Sequence, residues 1–170
     1  MKKSLSRAFI FSLLVFLALN FLFYIIGYSI AEVLNLTLDS IAAHPTHSIY
    51  LMVYPSGSLP WELLSDFNTY SNLGFKVLFL GGFISLIIAA IVAGFMGGNI
   101  GKSFGGWILT VICSMLLFIA IISIDEFNLN YISFFVTLTE GIVIVAIASA
   151  VNGLIFGALV ILIALLKGKS

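Results

Sequence analysis

The chain has 170 residues, of which 62% are hydrophobic and only 8% charged, and its formal net charge is zero. A soluble domain carries about 25% charged residues, so water cannot be the solvent for most of this surface, and a lipid bilayer is the partner that composition implies. Zero net charge removes the electrostatic reason to expect nucleic acid, and a single cysteine, Cys113, excludes a disulfide within the chain.

About 20 mostly apolar residues cross a bilayer, and four stretches qualify. The first predicted span runs from about 8 to 33 and carries Asn20 near its middle. It follows Lys2, Lys3 and Arg7 as a secretory signal does. Its apolar run exceeds the roughly 7–15 residues of a signal core, so it reads as a retained helix, with cleavage near Ser29–Ala31 as the alternative.

Residues 34 to 75 form the one sizeable segment between spans and are expected to be external. In SLPWELLSDF, Trp61, Leu64 and Phe67 recur every three residues, a helical spacing. It predicts a short helix lying on the membrane surface or capping the bundle. His44-Pro45-Thr46-His47, with Asp39 nearby, contains metal-ligating residue types. Two imidazoles and one acid are too few for a closed site, so the expectation is two solvated loop histidines, with no metal and no other cofactor. Asn35-Leu36-Thr37 is a glycosylation sequon very close to the predicted membrane.

The second span is predicted from about 76 to 98. Ala90, Gly94 and Gly98 lie four apart on it, which puts them on one helix face. The stretch that follows, GFMGGNIGKSFGG, ends like a phosphate-binding loop. That loop needs four residues between its first glycine and Gly-Lys-Ser, and counting back from Gly101 reaches Met96. A membrane span, not a strand, precedes it. The glycines therefore read as a tight turn over residues 99–105 that Lys102 keeps in the cytoplasm, and no nucleotide is expected. The third span is predicted from about 106 to 124, with Cys113 as a small apolar packing residue. A longer external connection leads to the fourth, from about 141 to 166, where Ser149, Gly153 and Gly157 form a second row of small residues and Asn152 lies near the middle.

Lipid supplies no hydrophobic force between helices, so association depends on close backbone approach and on polar contacts. The two rows are read as helix-packing faces. On this reading Gly94→Ile or Gly153→Ile disrupts assembly more than Gly82→Ile. Carboxamides in hydrocarbon need partners, so Asn20 and Asn152 are expected to face the interior, where they could bond each other. Gly82, Gly94 and Gly98 align with Gly141, Gly153 and Gly157 at one constant offset. That pattern suits two parallel-related helical hairpins, or the general glycine richness of membrane helices.

Six of the seven basic residues fall beside the predicted ends and the 2–3 turn, whereas Lys76 and all seven acids fall on the opposite side. Basic residues resist translocation, which places both termini in the cytoplasm. The expected fold is thus an all-α integral membrane protein of the cell membrane. It forms one multi-pass domain over residues 1–170, with four transmembrane helices in an antiparallel bundle. No acid, lysine, arginine or histidine lies in a predicted hydrocarbon core, which argues against proton pumps, ion-coupled carriers and voltage sensors. The expected function is non-enzymatic: a structural or accessory subunit that packs against a larger membrane complex or against itself. The alternative is a small oligomeric channel or carrier for a neutral or apolar solute, with Asn20 and Asn152 lining its path. A metal-dependent enzyme would rest on the histidine loop alone.

Overall fold

Helix-forming apolar runs separated by capping residues make the described part of the chain all-helical. A computed structural model describes residues 4–125, 128 and 137–167, among which there are seven α-helices. They are α1 (Leu5–Ile30), α2 (Leu34–Ala43), α3 (Thr46–Val53), α4 (Pro60–Thr69), α5 (Leu73–Gly97), α6 (Ile100–Ile124) and α7 (Leu138–Lys167), with a 3₁₀ turn at Tyr54–Gly57. Among the described residues, only α1, α5, α6 and α7 are long and apolar enough to cross a membrane. Most of the predicted 3–4 connection lies outside the described residues.

The starts of the four long helices are set by polar side chains. Ser4 accepts from the Arg7 amide at 3.3 Å, Asn72 from Gly74 at 2.8 Å and Asn99 from Lys102 at 2.8 Å, each satisfying an amide that has no partner within its helix. Thr137 and Glu140 form a reciprocal cap at the start of α7: the Thr137 amide donates to the Glu140 carboxylate at 2.8 Å, and the Glu140 amide reaches Thr137 Oγ1 at 3.4 Å.

Gly98 has φ 89° and stops α5, a left-handed conformation that suits glycine. The expected turn over 99–105 is therefore only Gly98 and Asn99, because Asn99 caps α6 at once. Lys102 and Ser103 sit in the first turn of α6, and the Ser103 hydroxyl donates back to the Gly94 carbonyl at 3.1 Å. The glycine-rich stretch is a helical hairpin.

At one end of the bundle the Ser4 amide donates to the Met96 carbonyl at 3.3 Å, and Lys167 Nζ reaches the Phe95 carbonyl. The described chain ends and the Gly98–Asn99 turn thus lie together; we call this the turn end. At the other, loop end, α1 meets the start of α5 so closely that a Cβ on Gly27 would lie 2.8 Å from the Gly74 carbonyl. The outward faces remain apolar, with Leu154 70% exposed and Leu14 57% exposed, as a lipid-solvated surface requires.

Segment 34–75 departs most from expectation. α2 lies at the loop end, but α3, the 3₁₀ turn and α4 fold down among the spans and contribute to both buried clusters. Leu63 is 1% exposed and packs with Phe16, Leu86 and Phe156. Tyr50 and Val53 pack with Phe118, Ile122 and Val145. The helix anticipated at Trp61, Leu64 and Phe67 forms, yet Trp61 and Leu64 are exposed; Leu63 is its anchor, and Phe67 packs half-buried beside the same cluster. A three-residue spacing identified the helix without identifying the face it buries.

Candidate functional site: a re-entrant turn and a tyrosine-lined cavity

The Tyr-Pro-Ser-Gly turn reaches about 14 Å below the loop end, since Pro55 lies against Gly82, nine positions into α5 at about 1.5 Å per residue. Non-helical backbone at such depth is tolerated only where its polar groups are satisfied within the protein. The sequence supplies that satisfaction. Pro55 has no amide proton to bury. Ser56 Oγ donates to the Val53 carbonyl at 2.7 Å, and Ser58 Oγ to the Tyr54 carbonyl at 3.3 Å.

The carbonyls of Met52, Pro55, Ser56 and Ser58 are held from the spans. Asn152 Nδ2 points at the carbonyls of Ser58 (2.9 Å), Ser56 (3.0 Å) and Pro55 (3.3 Å), and Ser149 Oγ donates to Ser56 at 3.0 Å. From the other side Asn20 Nδ2 donates to the Met52 carbonyl at 2.9 Å, while Asn20 Oδ1 accepts from the Ser85 hydroxyl. Both asparagines are thus buried, but they do not bond each other. Each clamps one side of the inserted turn. Asn152 Oδ1 has no partner among the described residues.

The small-residue rows serve separate contacts. Ala90 is fully buried in the core. A Cβ on Gly94 would lie 2.8 Å from Ile163 Cγ2 of α7, and one on Gly157 would lie 2.7 Å from the Phe104 ring of α6. Gly153 is less crowded, with 3.6 Å to Ile108 and Val111, and its carbonyl accepts from Trp107 Nε1 at 3.1 Å. Ser149 serves the turn, and Gly98 is exposed at the end of α5, outside any packing face. Gly157, by contrast, lies inside α7, so these two repeat-related glycines occupy unlike settings. Gly82 is no neutral control, because Pro55 lies 2.9 Å from where its Cβ would be.

The histidine loop also differs from its expected form. His47 is 2% exposed and donates from Nδ1 to Asn128 Oδ1 at 2.7 Å. Asn128 Nδ2 donates to Thr46 Oγ1, which donates to Asp125 Oδ2 at 2.7 Å. His44 Nδ1 lies 3.2 Å from the same Asp125 oxygen. The acid beside the histidines is therefore Asp125, not Asp39, which is exposed. This network ties the start of α3 to the end of α6. Among the described residues no three metal-ligating side chains converge. Burial pushes the His47 imidazole below its usual pKa; the Asn128 bond opposes that shift, His44 adds to it and Asp125 opposes it.

Beside the inserted turn is a cavity of about 260 Å³ lined by Tyr28, Tyr50, Leu51, Tyr54, Tyr70, Phe75, Leu78 and Phe79. Tyr70 is its most exposed lining residue, at 43%, and marks the open side. A second space of about 20 Å³, room for about one water, shares Leu51, Tyr54 and Leu78 with it and extends to Asn20 and Gly82. The wall of the large cavity is thus made of six aromatic rings, four of them phenols, and two leucine side chains, and the Asn20 amide lines the smaller space beside it. On α4, partial burial and then Glu62 push the Asp66 carboxyl above its usual pKa. Sequence reading missed the cavity because its tyrosines come from four separate places in the chain. No family model matches the chain, and neither a curated protein nor a solved structure does.

Proposed function

We propose that this chain is a non-enzymatic, multi-pass protein of the cell membrane that binds a small solute with an apolar body in the tyrosine-lined cavity, as a carrier or channel does. In this reading the spans form an antiparallel bundle with both termini cytoplasmic and the loop end outside. Arg7, Lys102 and Lys167 at the turn end support that orientation, together with Lys2, Lys3 and Lys169 in the sequence. The observation that carries the functional reading is the inserted turn. Broken helices at membrane depth occur where they line a cavity or bind a solute, and this one stands beside a cavity.

The cavity is just below the roughly 300 Å³ at which drug-sized pockets begin, so the solute has few heavy atoms. An accessory-subunit role remains the alternative. It drew on the glycine rows, but Gly94 and Gly157 meet α7 and α6 of the same chain.

Thermal unfolding of the purified chain against a panel of small neutral and cationic solutes tests the proposal. A solute at 100 times its Kd raises stability by about 2.7 kcal/mol. Leu51→Trp, which fills the cavity, should abolish that rise. If no solute of this size raises the unfolding temperature, or the filled variant responds equally, the reading fails.

A further inference from the structure

We propose that the cavity selects an organic ammonium ion, a methylated amine of about choline size, held by ring faces and not by an ion pair. This rests on the reading that the cavity binds a solute. Aromatic residues make up six of its eight lining positions: Tyr28, Tyr50, Tyr54, Tyr70, Phe75 and Phe79. They come from α1, α3, the 3₁₀ turn, the α4 cap and α5, so rings approach the common space from several directions. Their mutual packing is mixed. Tyr70 stacks on Phe79 at 5.2 Å between centroids and tilts against Phe75 at 5.4 Å, while Tyr28 meets Phe75 edge-on at 6.0 Å and Tyr50 tilts against Tyr54 at 5.8 Å. A set of rings at unlike angles cannot stack on one flat ligand together, but it can surround a rounded one.

The electrostatics favour a cation. Each ring face carries the negative side of a quadrupole, and a cation within about 6 Å of a centroid is attracted to it. No lining residue is charged, so no fixed cation on the wall opposes a bound one. Lys76 does not occupy the cage: its ammonium lies 5.4 Å from the centroid of Phe67, which is not a lining ring. Inorganic cations hold their water too strongly for ring faces to replace it. A methylated ammonium is weakly hydrated and presents an apolar surface to Leu51 and Leu78. A dry cavity of about 150 Å³ takes up benzene, so about 260 Å³ accommodates a trimethylammonium group and a short tail.

Equilibrium binding of labelled choline to the purified full-length chain tests this, with competition by its neutral analogue, in which tert-butyl replaces trimethylammonium. Choline should bind at least about tenfold more tightly than the analogue. Tyr70→Leu should weaken choline by about three- to tenfold and leave the analogue unchanged, while Tyr70→Phe, which keeps the ring, should bind choline as the native chain does. Equal affinity for the two ligands overturns the cation inference but leaves the solute-binding cavity standing. Choline binding that Tyr70→Leu does not weaken also overturns it. If neither ligand binds at millimolar concentration, the inference fails, and the broader solute panel decides separately whether the cavity binds anything.

Discussion

Asn152 gathers three carbonyls of the inserted turn with one amide group, in a place where water cannot substitute. Removing one partner of a buried hydrogen bond costs about 1–3 kcal/mol. Asn152→Ala should lower stability by that amount in detergent unfolding, whereas Ser114→Ala, whose buried hydroxyl bonds only its own helix at the Val111 carbonyl, should cost less, because that carbonyl keeps its helical hydrogen bond. Equal effects would deny the clamp. His47 makes a second prediction at this scale. Its folded pKa is lowered, chiefly by burial, so the unfolded chain binds the proton more readily than the folded one. The stabilisation is present above the unfolded value of about 6.5 and is lost as pH falls below it. The unfolding temperature should therefore drop between about pH 7.5 and 5.5, and His47→Gln should shrink the drop. An unchanged drop would assign the effect to another group.

The tightest helix crossing is between α1 and α5, at Gly27 and Gly74. Either side chain enlarged by one methyl forces two backbones apart, a kind of overpacking that costs about 1–3 kcal/mol. Gly74→Ala should fall in that range, and Gly153→Ala, with 3.6 Å to its nearest neighbours, should be nearly neutral; unfolding midpoints of the two variants decide. This ordering was not legible in the sequence. Rows of three spaced by four stand out within one helix, whereas Gly27 forms only a pair with Ala31, Gly74 has no such partner in α5, and the three meet only across the fold. Except for the start of α6, which lies six residues before the expected one, the bounds of the long helices were legible within three residues, because apolar length is a local property. So was the cap of α7: Thr137-Leu138-Thr139-Glu140 is a capping-box spacing that the sequence reading passed over. The inserted turn was hidden for a physical reason. Its helices are too short to register as spans, and tyrosines and tryptophan suit an interface as well as a core.

Across the whole molecule, the inserted segment has a consequence for topology. α3 has 8 residues and α4 has 10, about 12 and 15 Å of helix, against a hydrocarbon thickness of about 30 Å. Neither can cross alone, and α5 starts with Gly74 against Gly27 and Ala31 at the loop end, so the chain that descends through α3 climbs back through α4 to the side it left. Residues before and after the insertion therefore share one side, and the parity of four crossings is preserved. Asp39 and Ser71, both exposed, flank the insertion, and Lys102 lies at the opposite end of the bundle. In a chain with Cys113 replaced by alanine, cysteines at 39 and 71 should react in intact cells with an impermeant maleimide. One at 102 should react only after permeabilisation. Protection of 102 separates this orientation from its inverse, because the positive charges at the turn end resist translocation. Labelling at 39 but not at 71 would mean that the segment crosses the membrane; the clamp by Asn20 and Asn152, and the cavity beside it, would then have no structural basis.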